Sequence, residues 1–320
     1  MGGNTRSAGA GEITRDRRTG LGGSRVRSGN KLRSKIRSLI DGAATGMAVL
    51  STVLVVAPLV IIFVYLIYRG ASSVNLDFFT QIPKPEGEAG GGMANAILGS
   101  AILLGVASAI GVPIGIGGGI FLAEFGRGTK LANAVRFTAD VLNGVPSIVM
   151  GVAIYGLIVK THSPFLPFSG HFSAFSGGAA LGIMMIPTVC RTTEEMLRMV
   201  PHAVREAALA LGVSNWRSVL SITVKTASPG IITGCMLAFA RVAGETAPLL
   251  FTALGNAFWS SSLDRPIAAL PLQIYIYALS PYDDQHRLAW AGALVLIVLI
   301  VLAVSLVRYV TSRGVLKGAS

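Results

Sequence analysis

The sequence predicts an all-α integral membrane protein of six spans with both termini in the cytoplasm. Three observations carry this expectation: an apolar composition, six apolar runs long enough to cross a bilayer, and an uneven distribution of Lys and Arg among the connections. Hydrophobic residues make up 52% and charged residues 13% of 320 positions, with a mean hydropathy of +0.64, too apolar for a soluble domain of this length. The formal net charge of +12 does not indicate nucleic acid, because ten of the 27 Lys and Arg precede Asp41 and so belong to a tail.

That tail, residues 1–38, is rich in Gly, Ser and Arg and is expected to be a disordered basic segment, solvated rather than lipid-bound. The first apolar run, 42–68, is long enough to cross the ~30 Å hydrocarbon layer with some tilt. It is too long for a signal-peptide core, and no A-x-A site follows, so it reads as an uncleaved span. After a polar loop, a second span covers 95–125 with Asn95 as its N-cap. Gly111, Gly115 and Gly119 recur every four residues there and so share a face on which another helix can approach closely. No strand precedes these glycines and no G-x-x-x-x-G-K-[ST] occurs, so the chain lacks the signature of an ATP-binding loop.

Arg127, Lys130 and Arg136 form a basic connection to the third span, 138–159. Asp140, Gly144, Ser147 and Gly151 give that span a small, polar stripe, and Pro146 is expected to free the carbonyl of Leu142 within it. A loop of 160–176 leads to the fourth span, 177–197; a cytoplasmic loop, 201–228, leads to the fifth, 229–254. A long loop to Arg287 precedes the sixth span, 288–309, which is almost purely Leu, Val, Ile and Ala. Outside the spans, 20 Lys and Arg fall on the side of the tail and five on the other (Arg69, Lys84, Lys160, Arg265, Arg287). The positive-inside rule therefore places both termini and the 201–228 loop in the cytoplasm.

Two arginines inside the spans are the leading candidates for function. On the fifth span, Gly230, Gly234, Ala238, Arg241 and Glu245 share a face on a helical wheel, with Arg241 about 11 residues, or ~16 Å, into the span. Pro248 is expected to add a bend beside Arg241 and Glu245. On the fourth span, Gly177, Ala180, Met184, Arg191 and Glu195 share a face, with Arg191 free either to face a cavity or to reach toward the cytoplasm. An intramembrane charge is costly and marks a substrate path by default; the lesser alternative is that Arg241 and Glu245, at i and i+4, neutralise each other and brace the bundle. Guanidinium offers a fork of donors suited to an oxyanion, phosphate being the commonest, and Glu245 keeps the site from holding the anion too tightly to release it. Cys190 and Cys235 read as small packing residues, and no catalytic residue, metal site or cofactor is expected.

In the cytoplasmic loop, Pro201 at a first helical position and Gly212 just past the end delimit a helix of about three turns, and Ser214 is placed to cap a second one. Glu206-Ala207-Ala208, then three residues to Gly212, then nine to Ile222, resembles the EAA loop of ABC importer permeases, although Val224 and Lys225 stand where that pattern ends in Leu-Pro. The stretches Ile186 to Leu197, Arg205 to Gly212 and Arg241-Val-Ala-Gly-Glu-Thr-Ala-Pro-Leu-Leu250 are similar to those of PstA-type permeases of bacterial phosphate-uptake ABC transporters, and Asp140 to Val149 is similar to their third-span motif.

The resemblance implies a type I importer permease in the bacterial inner membrane, with Arg241, Glu245, Arg191, Asp140 and Ser147 along the substrate path. It implies that Glu206, Ala207, Ala208 and Gly212 couple the spans to a dimer of separate ATP-binding subunits. A related second permease (PstC-like), an extracytoplasmic phosphate-binding protein and the lipid bilayer are the other implied partners. The alternatives are a permease for molybdate or sulfate, or an anion channel or carrier that needs no ATP.

Overall fold

The computed structural model describes residues 23–88, 90–126, 128–162 and 168–317, with side chains described from Arg37 to Thr311; residues 1–22, Ala89, Arg127, the loop 163–167 and residues 318–320 lie outside them. Twelve α-helices follow in order: α1 Gly23–Gly70, α2 Leu76–Thr80, α3 Ala94–Ile120, α4 Lys130–Gly144, α5 Ser147–Ile154, α6 Ala174–Arg198, α7 His202–Ala210, α8 Asn215–Ser218, α9 Val224–Ala243, α10 Ala247–Thr252, α11 Leu270–Ala278 and α12 Asp283–Lys317. Three π turns, Phe121–Phe125, Tyr155–Val159 and Val219–Thr223, follow α3, α5 and α8. Among the described residues five helices are long and apolar enough to cross a membrane, and a sixth crossing is made only if α4 and α5 count as one broken span. The chain divides into two compact units, 1–63 and 64–320.

The first unit contains the greater part of α1, which begins at Gly23, inside the segment expected to be disordered to residue 38. A long apolar helix has already met the cost of nucleation, so its flanking Arg, Lys and Ser residues propagate it at little expense.

In the second unit, α3 and α6 form the centre. The glycine stripe works as its spacing predicts: a Cβ on Gly111 would sit 2.7 Å from the carbonyl oxygen of Gly182, one on Gly115 2.6 Å from Val189 Cβ, and one on Gly119 2.5 Å from Thr193 Cβ. Gly230 and Gly234 do the same for α9, where Met196 and Thr192 of α6 leave no room for a side chain. Leu103, Leu181, Met185, Val189 and Leu249 fill the core between these helices. A second cluster, Phe78, Met93, Leu270, Tyr277 and Val295, joins α2 and the start of α3 to α11 and α12.

The clamp gives a direct test. Gly115→Ala should lower stability by about 1–3 kcal/mol, the usual cost of overpacking, because β-branched Val189 has little freedom to yield. Gly105→Ala, on the same helix with nothing within 4 Å of its added Cβ, should leave stability unchanged or slightly higher. Thermal unfolding of the two variants in detergent separates close approach from helix propensity.

Several expected boundaries move. Asn95 does not cap α3: Met93 holds that position, and the buried Asn95 side chain donates instead to the Asn256 carbonyl at 2.8 Å. The third span is not continuous, because α4 and α5 meet at a 108° bend. Pro146 forces its predecessor out of helical geometry, and Val145 is extended (φ −71°, ψ 128°). Asp140 and Ser147 therefore lie on different helices, and the Leu142 carbonyl accepts from Val145 N–H at 3.4 Å. The second helix of the loop 201–228 runs on as one helical stretch, Asn215–Ala243, which takes Pro229 into α9 and erases the boundary expected at 228. Ser214 precedes this stretch without a side-chain cap bond. The fifth span stops at Ala243 rather than 254, and Pro248 enters the first turn of α10, where its missing N–H is harmless. The long loop expected after it contains a further helix, α11.

Candidate functional site: a charged cluster, an open arginine and an exposed loop helix

Arg191 projects from α6 onto α4. Its Nε donates to Asp140 Oδ1 at 3.0 Å and its Nη2 to Asp140 Oδ2, a two-point contact between guanidinium and carboxylate. Its Nη1 reaches Glu194 Oε2 at 3.2 Å. Glu194 is the centre of this cluster and was not singled out from the sequence, where its neighbour Glu195 fell on the wheel face. Glu194 is 3% exposed and also accepts Arg136 Nε at 2.8 Å and Arg198 Nη2 at 2.6 Å, whereas Glu195 is exposed. Three arginines around one buried carboxylate satisfy it fully and dock the broken span onto α6. Arg136 adds a bond from Nη2 to the Leu122 carbonyl at 3.1 Å, tying in the π turn that ends α3.

Arg241 has the opposite surroundings. It lies in the last turn of α9, is exposed, and its side chain makes no hydrogen bond or ion pair with any described residue. The expected wheel face does not extend to Glu245, because the helix ends at Ala243 and Gly244 takes the C-cap. Glu245 is half-buried, and no bridge joins it to Arg241. The helical stretch begins at Asn215, so the distance of Arg241 from a helix start no longer fixes its depth. Gly151 of α5 packs against Pro248 of α10, where a Cβ would come within 2.6 Å of Pro248 Cα, and this holds the break beside Glu245 against the second half of the broken span. Ser147, partly buried, opens α5. Asp140 and Arg191 are thus brought together, while Arg241, Glu245 and Ser147 make no hydrogen bond or ion pair with that pair among the described residues.

The loop helix α7 ends as the sequence predicts. Gly212 is left-handed (φ +78°), its N–H donates to the Leu209 carbonyl at 2.9 Å, and Val213 N–H donates to the Ala208 carbonyl at 3.2 Å, a Schellman close. At the other end, Pro201 is the N-cap residue rather than the first helical residue. Glu206 and Ala207 face outward, whereas Ala208 is buried and Val204 packs on the core. Arg205 is also turned inward: its Nη2 meets Glu124 Oε1 at 2.6 Å and the Leu197 carbonyl at 2.7 Å. The EAA stretch therefore divides into an outward Glu206 and Ala207 and an inward Ala208. Leu209 and Leu211 extend the exposed side, Leu211 at 84%.

Among the described residues the chain is helical, with several long apolar helices, a bent pair α4–α5 and a short helix α7 outside them, which fits a membrane permease. Residues 115–314 match the family described as the inner membrane component of binding-protein-dependent transport systems, and the chain belongs to that family. It is a multi-pass inner-membrane protein. It is 47% identical over 268 residues to the phosphate transport system permease protein PstA of Xylella fastidiosa, covering 84% of this chain and 91% of that one. It is 42% identical over 282 residues to the protein of the same name from Haemophilus influenzae, covering 88% and 96%. Among solved structures, an inward-facing form of the MetNI methionine ABC transporter matches with a TM-score of 0.52 at 18% identity, over 70% of this chain and 96% of that one, a likeness of fold.

Proposed function

We propose that this chain is the permease subunit of an ATP-driven importer that carries inorganic phosphate into the cytoplasm. The observation that carries the reading is identity of 47% and 42% to phosphate transport permeases along nearly their whole lengths. The open guanidinium of Arg241 supports it, since a cation without an internal partner suits an anion that arrives and leaves. ATP is hydrolysed on two separate subunits that dock on α7, with Glu206, Ala207 and Gly212 at the contact and Ala208 packing behind it. A related second permease, PstC-like, completes the path, and an extracytoplasmic binding protein delivers phosphate. Both termini and α7 lie on the cytoplasmic side. Arg241, Glu245, Arg191, Asp140 and Ser147 border the path, with Asp140 occupying the Arg191 fork between passages of substrate.

Cells that depend on this chain for uptake should take up labelled phosphate only when the ATP-binding subunits are present. Unlabelled phosphate should abolish the signal, and equal concentrations of molybdate or sulfate should leave it within about twofold. Stronger competition by molybdate or sulfate would reassign the substrate, and uptake without the ATP-binding subunits would overturn the energy source.

A further inference from the structure

Two polar contacts from different parts of the chain meet at the π turn Phe121–Phe125. From one side, Arg205 of α7 reaches Glu124 Oε1 at 2.6 Å. From the other, Arg136 of α4 reaches the Leu122 carbonyl at 3.1 Å and continues to Glu194 at 2.8 Å, then to Arg191 at 3.2 Å, and so to Asp140. The turn thus lies between the loop helix and the charged cluster, within hydrogen-bond reach of both.

Its local structure suits movement. Upstream, Gly111, Gly115 and Gly119 clamp α3 on α6 so closely that no Cβ fits, and that part cannot slide. The chain then changes to the wider π turn, closed by Gly126 N–H on the Phe121 carbonyl at 2.6 Å, and leaves the helix at Gly126. A π turn holds one extra residue and weaker stacking than an α turn, so winding changes there are the cheapest on offer. The Arg205–Glu124 pair is largely buried, with side chains 12% and 8% exposed. It is held through Nη2 alone; Arg205 Nε and Nη1 are buried and bonded to no described group. A one-nitrogen contact swivels where a two-point fork would lock.

We propose that the π turn Phe121–Phe125 is the joint through which a displacement of α7 reaches the Asp140–Arg191 pair, with Glu124 as its positioning residue. This rests on the importer reading. A push on α7 moves Arg205, Glu124 follows, and the Leu122 carbonyl shifts under Arg136. Arg136 shares Glu194 with Arg191, so the pull arrives at the contact that fastens the broken span to α6.

The test uses the complete complex, reconstituted with its ATP-binding subunits and binding protein, and measures phosphate imported per ATP hydrolysed. Glu124→Gln keeps the shape and removes the charge; it should assemble and hydrolyse ATP, with import per ATP reduced about tenfold, a typical coupling between sites. The charge swap, Glu124→Arg with Arg205→Glu, should recover at least about half of the loss if the two act as one pair. An assembled Glu124→Gln complex with unchanged import per ATP overturns the joint. Failure of both the variant and the swap to assemble overturns it as well, since the pair would then only hold the fold. Failure of the importer reading is separate: the unaltered complex would itself show no ATP-dependent phosphate import.

Discussion

Replacing Arg241 by Gln should reduce phosphate uptake by about two orders of magnitude while leaving complex assembly and thermal stability unchanged. Removing a two-point, charge-assisted contact to an oxyanion forfeits on the order of 3 kcal/mol, which is about a hundredfold. Stability should not follow, because the exposed side chain of Arg241 has no described partner to abandon. Arg191 is the contrasting case. Arg191→Gln strips Asp140 of both its bonds and Glu194 of one of three, so it should lower stability together with uptake. Uptake assays paired with the quantity of purified complex separate the two: loss of transport at full yield for Arg241, loss of yield for Arg191. Unchanged uptake in Arg241→Gln would remove Arg241 from the path. Arg241→Lys should fall between, since an ammonium supplies charge without the planar fork.

Long-range regularities of the sequence carried through to the fold, and local breaks did not. Apolar runs locate the helices because burial or lipid contact must be maintained over about 20 residues, a signal too long to be accidental. The glycine stripe of α3 was legible for the same reason: a period of four on an apolar helix means close approach. Gly212 was legible because a helix that needs a left-handed residue after its end has almost no alternative.

The broken span was not legible, since Pro146 is compatible with a kink, a bend or an end, and packing of α5 on α10 decides among them. Pro229 misled in the other direction: it looked like a boundary, yet α9 runs through it. The choice between Glu194 and Glu195 turned on one helical step of 100°. A wheel drawn on the fourth span alone contains nothing about Arg136, which comes from α4 and makes Glu194 the centre. The expected Arg241–Glu245 pairing failed because a wheel assumes a helix that continues, and Gly244 ends it.

Charge placed at the end of α7 should uncouple ATP hydrolysis from transport, and the backbone at Gly212 allows this to be separated from helix damage. Gly212 has φ +78°, and a Cβ there would have nothing within 4 Å, so the position constrains conformation and leaves space. Asn and Asp tolerate the left-handed region far better than other residues and have nearly the same shape. Gly212→Asn should therefore keep the Schellman close at a cost of about 1 kcal/mol or less, with near-normal uptake. Gly212→Asp differs only by a negative charge, set beside exposed Leu211 on the surface proposed to meet the ATP-binding subunit. A charge desolvated in such a contact costs several kcal/mol, enough to reduce substrate-stimulated ATP hydrolysis and uptake by at least about a hundredfold. Glu206→Lys, on the outward side of the same helix, should give the same result by reversing a charge at the contact. Both substitutions leave Arg205 and its inward pair with Glu124 in place, so the permease itself should fold and insert. The decisive measurement is ATP hydrolysis and uptake side by side for Gly212→Asn and Gly212→Asp: equal activity in the two would mean that α7 meets no partner at this end, whereas loss confined to Asp places the ATP-binding subunit there.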